Sequence, residues 1–242
     1  MKYSIIIPTL NEAKLLPDLL NQLTDVQLKE IYNPEIIVSD GGSKDDTVKI
    51  ALDYADIVTV HTDNKLQTIA EGRNKGAALA SGDVLVFFNG DVRINDPLNF
   101  FRYIDENFQK HNYLAITGYV SIYPELAGLL DKIFHYCYNH YFQFLNNTGV
   151  GMGRGECHII RKEIFGKLGG YNENFAAGED FDLYRRIRNE GEILFTNCIR
   201  VYESPRRFRK RGYFSVTWMW IKNGMSVWFK NKSISKIWEQ VR

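Results

Sequence analysis

Four short runs of β-branched and aromatic residues constrain this chain most: YSIII before Pro8, EIIVS before Asp40, DIVTV before His61 and VLVFF before Asn89. Runs of this length and composition match the pattern of buried parallel strands. Between them, residues 12–23, 45–55 and 68–80 carry helical patterning. Strand, helix, strand, helix predicts an open, Rossmann-like α/β sheet with right-handed crossovers and helices on its faces. Such sheets bind ligands beyond the carboxyl ends of their strands. The residues that follow each run are therefore the first place to look for chemistry.

The chain has 242 residues, 45% hydrophobic and 24% charged, enough to bury a substantial core in one large domain or a domain with an extension. Cys137, Cys157 and Cys198 are odd in number and lack Cys-x-x-Cys spacing, so neither a disulfide framework nor a zinc knuckle is expected. His135, Cys137 and His140 fall on different sides of a helix, which argues against a metal site there. The N-terminal apolar run is too short for a secretory signal. The expected location is the cytoplasm.

At the first strand end, Pro8 is expected to stop the ladder and Thr9 or Asn11 to cap the next helix, with Glu12 near its start. At the second, Asp40 precedes Gly41 and Gly42, which let the backbone turn, and Ser43 with Asp46 makes an N-terminal capping pair. An acid before the glycines is not needed for that cap, so Asp40 is free to accept hydrogen bonds from a base or sugar. The helix over 68–80 carries Arg73, whose planar fork suits a phosphate or a carboxylate that orients the base, and Gly76, Ala77, Ala78 and Ala80, which allow close packing on the sheet. At the fourth strand end, Asn89-Gly90-Asp91 places one carboxylate on a stiff strand terminus, able to hold Mg²⁺ or Mn²⁺ against a diphosphate, with Gly90 leaving room for the ligand. Further on, Glu179, Asp180 and Asp182 precede a helix; as caps they are ordinary, but three crowded acids raise at least one pKa, which suits a general base.

Residues 127–145 are aromatic-rich and lack a clean polar face, which fits either a helix packed on the sheet or a wall for an apolar acceptor or membrane. The glycines of residues 146–156 follow no strand of a βαβ unit and read as a mobile loop. From Arg206 onward the chain carries a net charge of +9, leaving −8 for the remainder, and holds all four tryptophans. No apolar run in this tail approaches the roughly 20 residues that span a bilayer. A helix clamping the domain and an interfacial segment on an anionic membrane are both compatible with it. Nucleic acid is not an expected partner, since the rest of the chain is acidic and carries no recognition motif.

Taken in order, IIIPTLNE, IIVSDGGSKDDT, GRNKGAALASGDVLVFFNGDV and GGYNENFAAGEDFDLYRRIRNEG resemble glycosyltransferase family 2, over roughly residues 3 to 200. Each stretch is weak alone; the ordered set is specific. The resemblance implies the GT-A fold, an open mixed sheet, mostly parallel and flanked by helices, with a C-terminal helical extension. It implies a catalytic domain over 1–205, with 1–118 the nucleotide-binding part and 119–205 the acceptor-binding part; the basic aromatic tail over 206–242, read from its own residues, is expected to be helical. The implied activity is inverting, metal-dependent transfer from a UDP- or GDP-sugar to an acceptor hydroxyl or lipid phosphate. Pro8, Thr9, Asn11, Glu12, Asp40, Gly42, Arg73, Asn89 and Gly90 would then contact the nucleotide, and Asp91 the Mn²⁺ or Mg²⁺. Glu179-Asp180 matches the acidic pair in which the Asp is the base, and Arg206 and Arg207 match an Arg-Arg pair that neutralises the diphosphate or meets the acceptor. Asn89 stands where the family's first Asp falls, and no histidine follows Val201, where many relatives place a further metal or diphosphate contact. The partners implied are a nucleoside-diphosphate sugar and an acceptor, lipid-linked if the tail lies on the cytoplasmic face of a membrane. A nucleotidyltransferase, which would want a basic glycine-rich loop after the first strand, and a catalytically silent, membrane-bound nucleotide sensor are the alternatives.

Overall fold

The computed structural model describes residues 1–230 and 232–235. Its first strand, β1 (Tyr3–Thr9), is buried on both faces apart from half-buried Pro8, as a central strand must be. From there the chain runs through α1 (Leu16–Leu23), α2 (Val26–Ile31), β2 (Glu35–Asp40), α3 (Thr47–Tyr54), β3 (Ile57–Val60), α4 (Ile69–Leu79) and β4 (Val84–Phe88). It continues through β5 (Val92–Ile94), α5 (Pro97–Lys110), β6 (Ala115–Ile122), α6 (Leu129–Asn147), β7 (Cys157–Arg161), α7 (Lys162–Lys167), α8 (Glu179–Glu190) and β8 (Ile193–Glu203). Two helices follow, α9 (Arg206–Arg211) and α10 (Tyr213–Lys230).

One eight-stranded sheet holds the order β3-β2-β1-β4-β7-β6-β8-β5. Four of its seven pairings are parallel, and the antiparallel ones all involve β7 or β5, so the sheet is mixed and mostly parallel, as expected. Each face carries its own core. One gathers Ile5, Ile7, Leu19, Val86, Phe88, Phe101 and Ile104; the other gathers Ile6, Ile37, Leu85, Phe87, Phe165, Leu183 and Tyr184. Helix α4 lies close against the second face: a Cβ on Gly76 would stand 2.5 Å from Ile6 Cγ2, so a larger residue would push the helix off the sheet.

The chain leaves β1 toward β2 on one side and returns to β4 on the other, which makes the gap between β1 and β4 the topological switch point. The β1–β4 ladder ends at Ile6 with Phe87, whereas β1 goes on to Thr9 against β2. The two strands therefore part over the last three residues of β1. Pro8 does not stop the ladder, contrary to expectation; it sits where β4 has already diverged, so on that side its missing N–H deprives no neighbour. Helix α8 starts at Glu179, earlier than the sequence suggested, which puts all three acids inside its first turn.

The tail is helical through Lys230 and packs on the domain: Val216, Asn223, Ser226 and Val227 are buried. Trp228 stacks on Phe181 at 5.6 Å and lies beneath the Arg185 guanidinium at 4.8 Å. Trp238, Lys236 and Arg242 of the basic aromatic tail lie outside the described residues.

Candidate active site

A cleft of about 740 Å³ opens at the β1–β4 switch point. One half is polar, lined by Pro8, Glu12, Arg73, Asn89, Asp91 and Asp180; the other is apolar, lined by Tyr138 and Phe142 of α6 with Trp220, Ile221, Met225 and Trp228 of α10. The end of β1 and the loop after it, helix α4, the loop after β4 and the first turn of α8, far apart in sequence, bring the polar residues together.

Asp91 and Glu12 face each other across the parted strands. Arg206 Nη2 lies between them, 2.6 Å from Glu12 Oε1 and 3.0 Å from Asp91 Oδ2. Gly90 makes this approach possible: a Cβ there would stand 3.1 Å from Glu12 Cγ and 3.4 Å from Thr9 Cγ2. Glu12 occupies the space on the side a Cβ would take, while Gly90 itself lines the cleft. The Tyr123 hydroxyl donates to the Asp91 carbonyl at 2.6 Å and fixes the turn.

Arg73 is 1% exposed and spends its fork inside the protein. It donates to Glu179 Oε1 at 3.0 Å, Asn89 Oδ1 at 3.1 Å and the Gly155 carbonyl at 2.6 Å. Of the two roles open to it, orienting acids and phosphate contact, the geometry favours the first. The amide at Asn89 thus serves as an acceptor for Arg73.

The three acids of α8 have different partners. Glu179 pairs with Arg73, and Asp182 pairs with Arg186 at 2.8 Å one turn on. Asp180 faces the cleft, its Oδ1 accepting from the Phe181 amide at 2.8 Å. Burial first, then the adjacent Glu179 charge, push its pKa up to about 7 against the pull of Arg73. A carboxylate tuned to neutrality beside a cleft is suited to taking a proton.

Asp40, Asn11 and Gly42 lie outside the cleft lining. Asp40 is fully buried, and each oxygen is filled by donors from the turn: Oδ1 by the Gly42 and Ser43 amides, Oδ2 by the Thr9 and Ser43 hydroxyls. It therefore offers no spare oxygen to a base, and its neighbours Ser39 and Gly41 reach the cleft instead. Asn11 accepts from the Lys44 amide, and Leu15, not Thr9 or Asn11, occupies the N-cap of α1. Thr9 and Gly90 do line the cleft, as do Arg206 and Arg207.

The model of the family described as "Glycosyl transferase family 2" matches residues 4–169, more than half of the chain. The chain belongs to glycosyl transferase family 2. Among curated relatives, a PGL/p-HBAD biosynthesis glycosyltransferase of Mycobacterium bovis is 26% identical over 74% of this chain and 67% of its own length. A 4,4'-diaponeurosporenoate glycosyltransferase of Staphylococcus haemolyticus is 31% identical over 83% of this chain and 57% of its own. An O-antigen biosynthesis protein of Myxococcus xanthus is 27% identical over 78% of this chain, which spans only 16% of that relative. Among solved structures, a mannosyltransferase of Pyrobaculum calidifontis in complex with GDP-Man and Mn²⁺ superposes with a TM-score of 0.72 at 17% identity, covering 95% of this chain and 63% of that one. Glucosyl-3-phosphoglycerate synthase of Mycobacterium tuberculosis, in complex with Mn²⁺, UDP and glucosyl-3-phosphoglycerate, gives a TM-score of 0.61 at 15% identity, covering 99% of this chain and 81% of that one. The fold is GT-A.

Within this family 2 chain, no three acids, histidines or cysteines gather as a metal cage among the described residues. Asp91 alone still suits a hard cation that keeps most of its coordination for phosphate and water. The Arg206 nitrogen already resting on Asp91 and Glu12 is itself a cation, so the spot favours positive charge.

Sequence reasoning missed a second charged group on the cleft wall. Arg154, 2% exposed, joins Glu156 and Glu203, each at 3.2 Å, and lies 4.9 Å from the Tyr138 ring centre. Burial and then Glu156 hold Glu203 well above the usual carboxylate range, while Arg154 keeps Glu156 below it despite burial. His135, buried 4.0 Å from Glu203, is lowered to about 4 by burial and by Arg154, and is neutral at pH 7. Glu203 ends a β-branched strand, the same signal that singled out Asp91.

Proposed function

We propose that the chain transfers a glycosyl group from a UDP- or GDP-sugar to an acceptor hydroxyl or lipid phosphate, with inversion at the anomeric carbon. The observation that carries this reading is the convergence of Asp91, Glu12, Asp180 and the Arg73–Glu179 pair on one cleft at the sheet's switch point. The pyrophosphate lies at the parted ends of β1 and β4, with the nucleoside along Pro8, Thr9 and Gly41. Asp91 would hold Mn²⁺ or Mg²⁺ there, and that ion, when bound, stabilises charge on the departing diphosphate. The two neighbours that contain Mn²⁺ with a nucleotide support this choice. Asp180 takes the proton from the acceptor hydroxyl as its oxygen bonds to the anomeric carbon; the bond from that carbon to the diphosphate breaks on the opposite face, and the nucleoside diphosphate leaves. Glu179, held by Arg73, keeps Asp180 in place and its proton affinity high. Arg206 and Arg207 serve the diphosphate. A lipid phosphate acceptor arrives already ionised and needs no base.

The acceptor enters along the apolar half, from a membrane surface on its cytoplasmic side. No helix among the described residues is long and apolar enough to cross a membrane. Instead α10 presents Phe214, Trp218, Ile221, Met225, Trp228 and Phe229 to solvent along one stripe, and α6 presents Leu129, Leu130, Ile133, Tyr136 and Phe144. Lys132, Lys210, Lys222 and Lys230 stand exposed on the same elements or beside them, the complement of an anionic leaflet. Both helices wall the cleft, so a chain anchored in lipid reaches Asp180 between them.

Calorimetry with UDP and GDP, with and without Mn²⁺, followed by mass spectrometry of products from a nucleotide-sugar panel and a membrane extract, tests the reaction. Absence of any metal-assisted nucleoside diphosphate binding would sink it. Sedimentation with vesicles tests the surface: equal recovery on zwitterionic and anionic lipid would remove the electrostatic argument.

A further inference from the structure

We propose that Arg206 and the divalent cation exclude one another at Asp91, so that Arg206 changes partners when the donor binds, moving from the two carboxylates to the arriving diphosphate. The inference rests on the reading of Asp91 as the cation-binding residue. Its basis is a single contact geometry: one guanidinium nitrogen, Nη2, bonds both Glu12 Oε1 and Asp91 Oδ2. A cation bound to that Asp91 oxygen and a positively charged nitrogen 3.0 Å from it repel each other and compete for the same lone pairs. The side chains involved are only 23%, 7% and 18% exposed for Arg206, Glu12 and Asp91, so water screens the repulsion weakly.

The helix that carries Arg206 is anchored, which confines the exchange to the side chain. Phe208, two residues on, is 2% exposed and packs on the rings of Phe134, His135 and Tyr213. Arg209 is tied by its guanidinium to Asp131. A long, flexible arginine on a fixed stem can turn from a carboxylate to a phosphate without moving α9, and its planar fork suits both. Arg207 stands differently: the charge of Glu203, and after it that of Asp91, favours its protonated form against the burial that lowers it. The two arginines that look equivalent in sequence therefore have different duties, and Arg206 is the positioning residue for the metal–diphosphate pair. Cation and nucleoside diphosphate then bind together far better than the cation binds alone.

The test reads metal affinity directly. Free Mn²⁺ is titrated by electron paramagnetic resonance on the full chain, without and with UDP or GDP, and nucleoside diphosphate affinity is measured by calorimetry in saturating Mn²⁺. For wild type, adding the preferred nucleoside diphosphate should tighten Mn²⁺ at least about tenfold, the scale of one additional charge-assisted hydrogen bond. Arg206→Gln should move two quantities in opposite directions: Mn²⁺ alone binds about threefold or more tighter, and the nucleoside diphosphate binds about tenfold weaker. Arg206→Lys, which keeps the charge but not the fork, should restore weak binding of Mn²⁺ alone and only part of the diphosphate affinity. Arg207→Gln, which removes a cation acting mainly on Glu203, should tighten Mn²⁺ alone less than Arg206→Gln does. If Arg206→Gln leaves Mn²⁺ alone unchanged or weaker while wild type shows normal metal-assisted binding, the exchange is overturned and the glycosyl-transfer reading stands. If wild type binds no nucleoside diphosphate with Mn²⁺, both fall.

Discussion

The two halves of the cleft are built on opposite plans. In the polar half most charges are paired, Arg73 with Glu179 and Arg206 with Glu12 and Asp91, while Asp180 at the first turn of α8 is held, among the described residues, only by the Phe181 amide. In the apolar half, α6 and α10 bury one face against each other through Phe134, Tyr138, Tyr213 and Trp220 and leave a second apolar face in solvent. The first plan spends burial on orientation and holds charges in defined pairs. The second leaves hydrophobic area unspent in solvent. Substitutions should therefore separate cleanly: the polar half governs chemistry and stability, the apolar half governs attachment.

Asp180→Asn is the sharpest challenge. It should lower kcat on the order of 10³-fold with a hydroxyl acceptor while calorimetry finds donor affinity little changed. Full turnover would remove Asp180 from its role and with it the division of labour. Next, Glu179→Gln leaves the Arg73 guanidinium buried without its counter-charge, at 1% exposure, and should cost about 3–5 kcal/mol by urea denaturation. A loss below about 1 kcal/mol would mean that the polar half is not structurally committed.

A third effect follows from protonation. Asp180 titrates near 7, above an ordinary carboxylate, so it holds its proton at pH values where other acids have lost theirs. As a base it is competent above that value and lost as pH falls through it. The ratio kcat/KM should thus decline about tenfold per unit below roughly pH 6, and Glu179→Gln, which removes the neighbouring negative charge, should move this limb to lower pH. An activity profile flat from pH 5 to 8 would contradict the assignment.

The smallest effect on the folded protein belongs to the apolar half. Trp218→Ser combined with Phe229→Ser alters exposed residues and should change stability by less than about 0.5 kcal/mol. Affinity for anionic vesicles should nevertheless fall about tenfold or more, since each side chain forfeits about 1.5–3 kcal/mol of burial. A large loss of stability with unchanged vesicle binding would reverse the comparison.

Much of the polar half was legible before any coordinates. The strand runs, their order and the acids at Asp91 and Asp180 are local patterns, and the structure brings those acids to one cleft. What could not be read is how lone pairs are shared. Asp40 looked free because its turn needed no further cap, yet four donors from Thr9, Gly42 and Ser43 close around it. Nor did the sequence disclose the Arg154–Glu203 contact, which spans 49 positions and begins in a stretch that reads as a glycine loop. In the apolar half the helices were visible, but not which side of α6 is covered: Phe134 and Tyr138 pack on rings of α9 and α10 while Leu129, Leu130 and Phe144 point out.

The parting of β1 from β4 has a consequence for how this protein tolerates change. At about 3.3 Å per residue, the three β1 positions beyond the shared ladder make a step about 10 Å deep, across which Gly90 approaches Thr9 and Glu12. Its depth is dictated by which residue ends the shared ladder, not by any side chain inside it. Slippage of β4 by one position would turn every inward residue outward and carry Asp91 away from Glu12 in the same stroke. The catalytic layout is thus stored as a registration between two strands, so distant core substitutions should be silent until one disturbs that alignment, and then fail all at once.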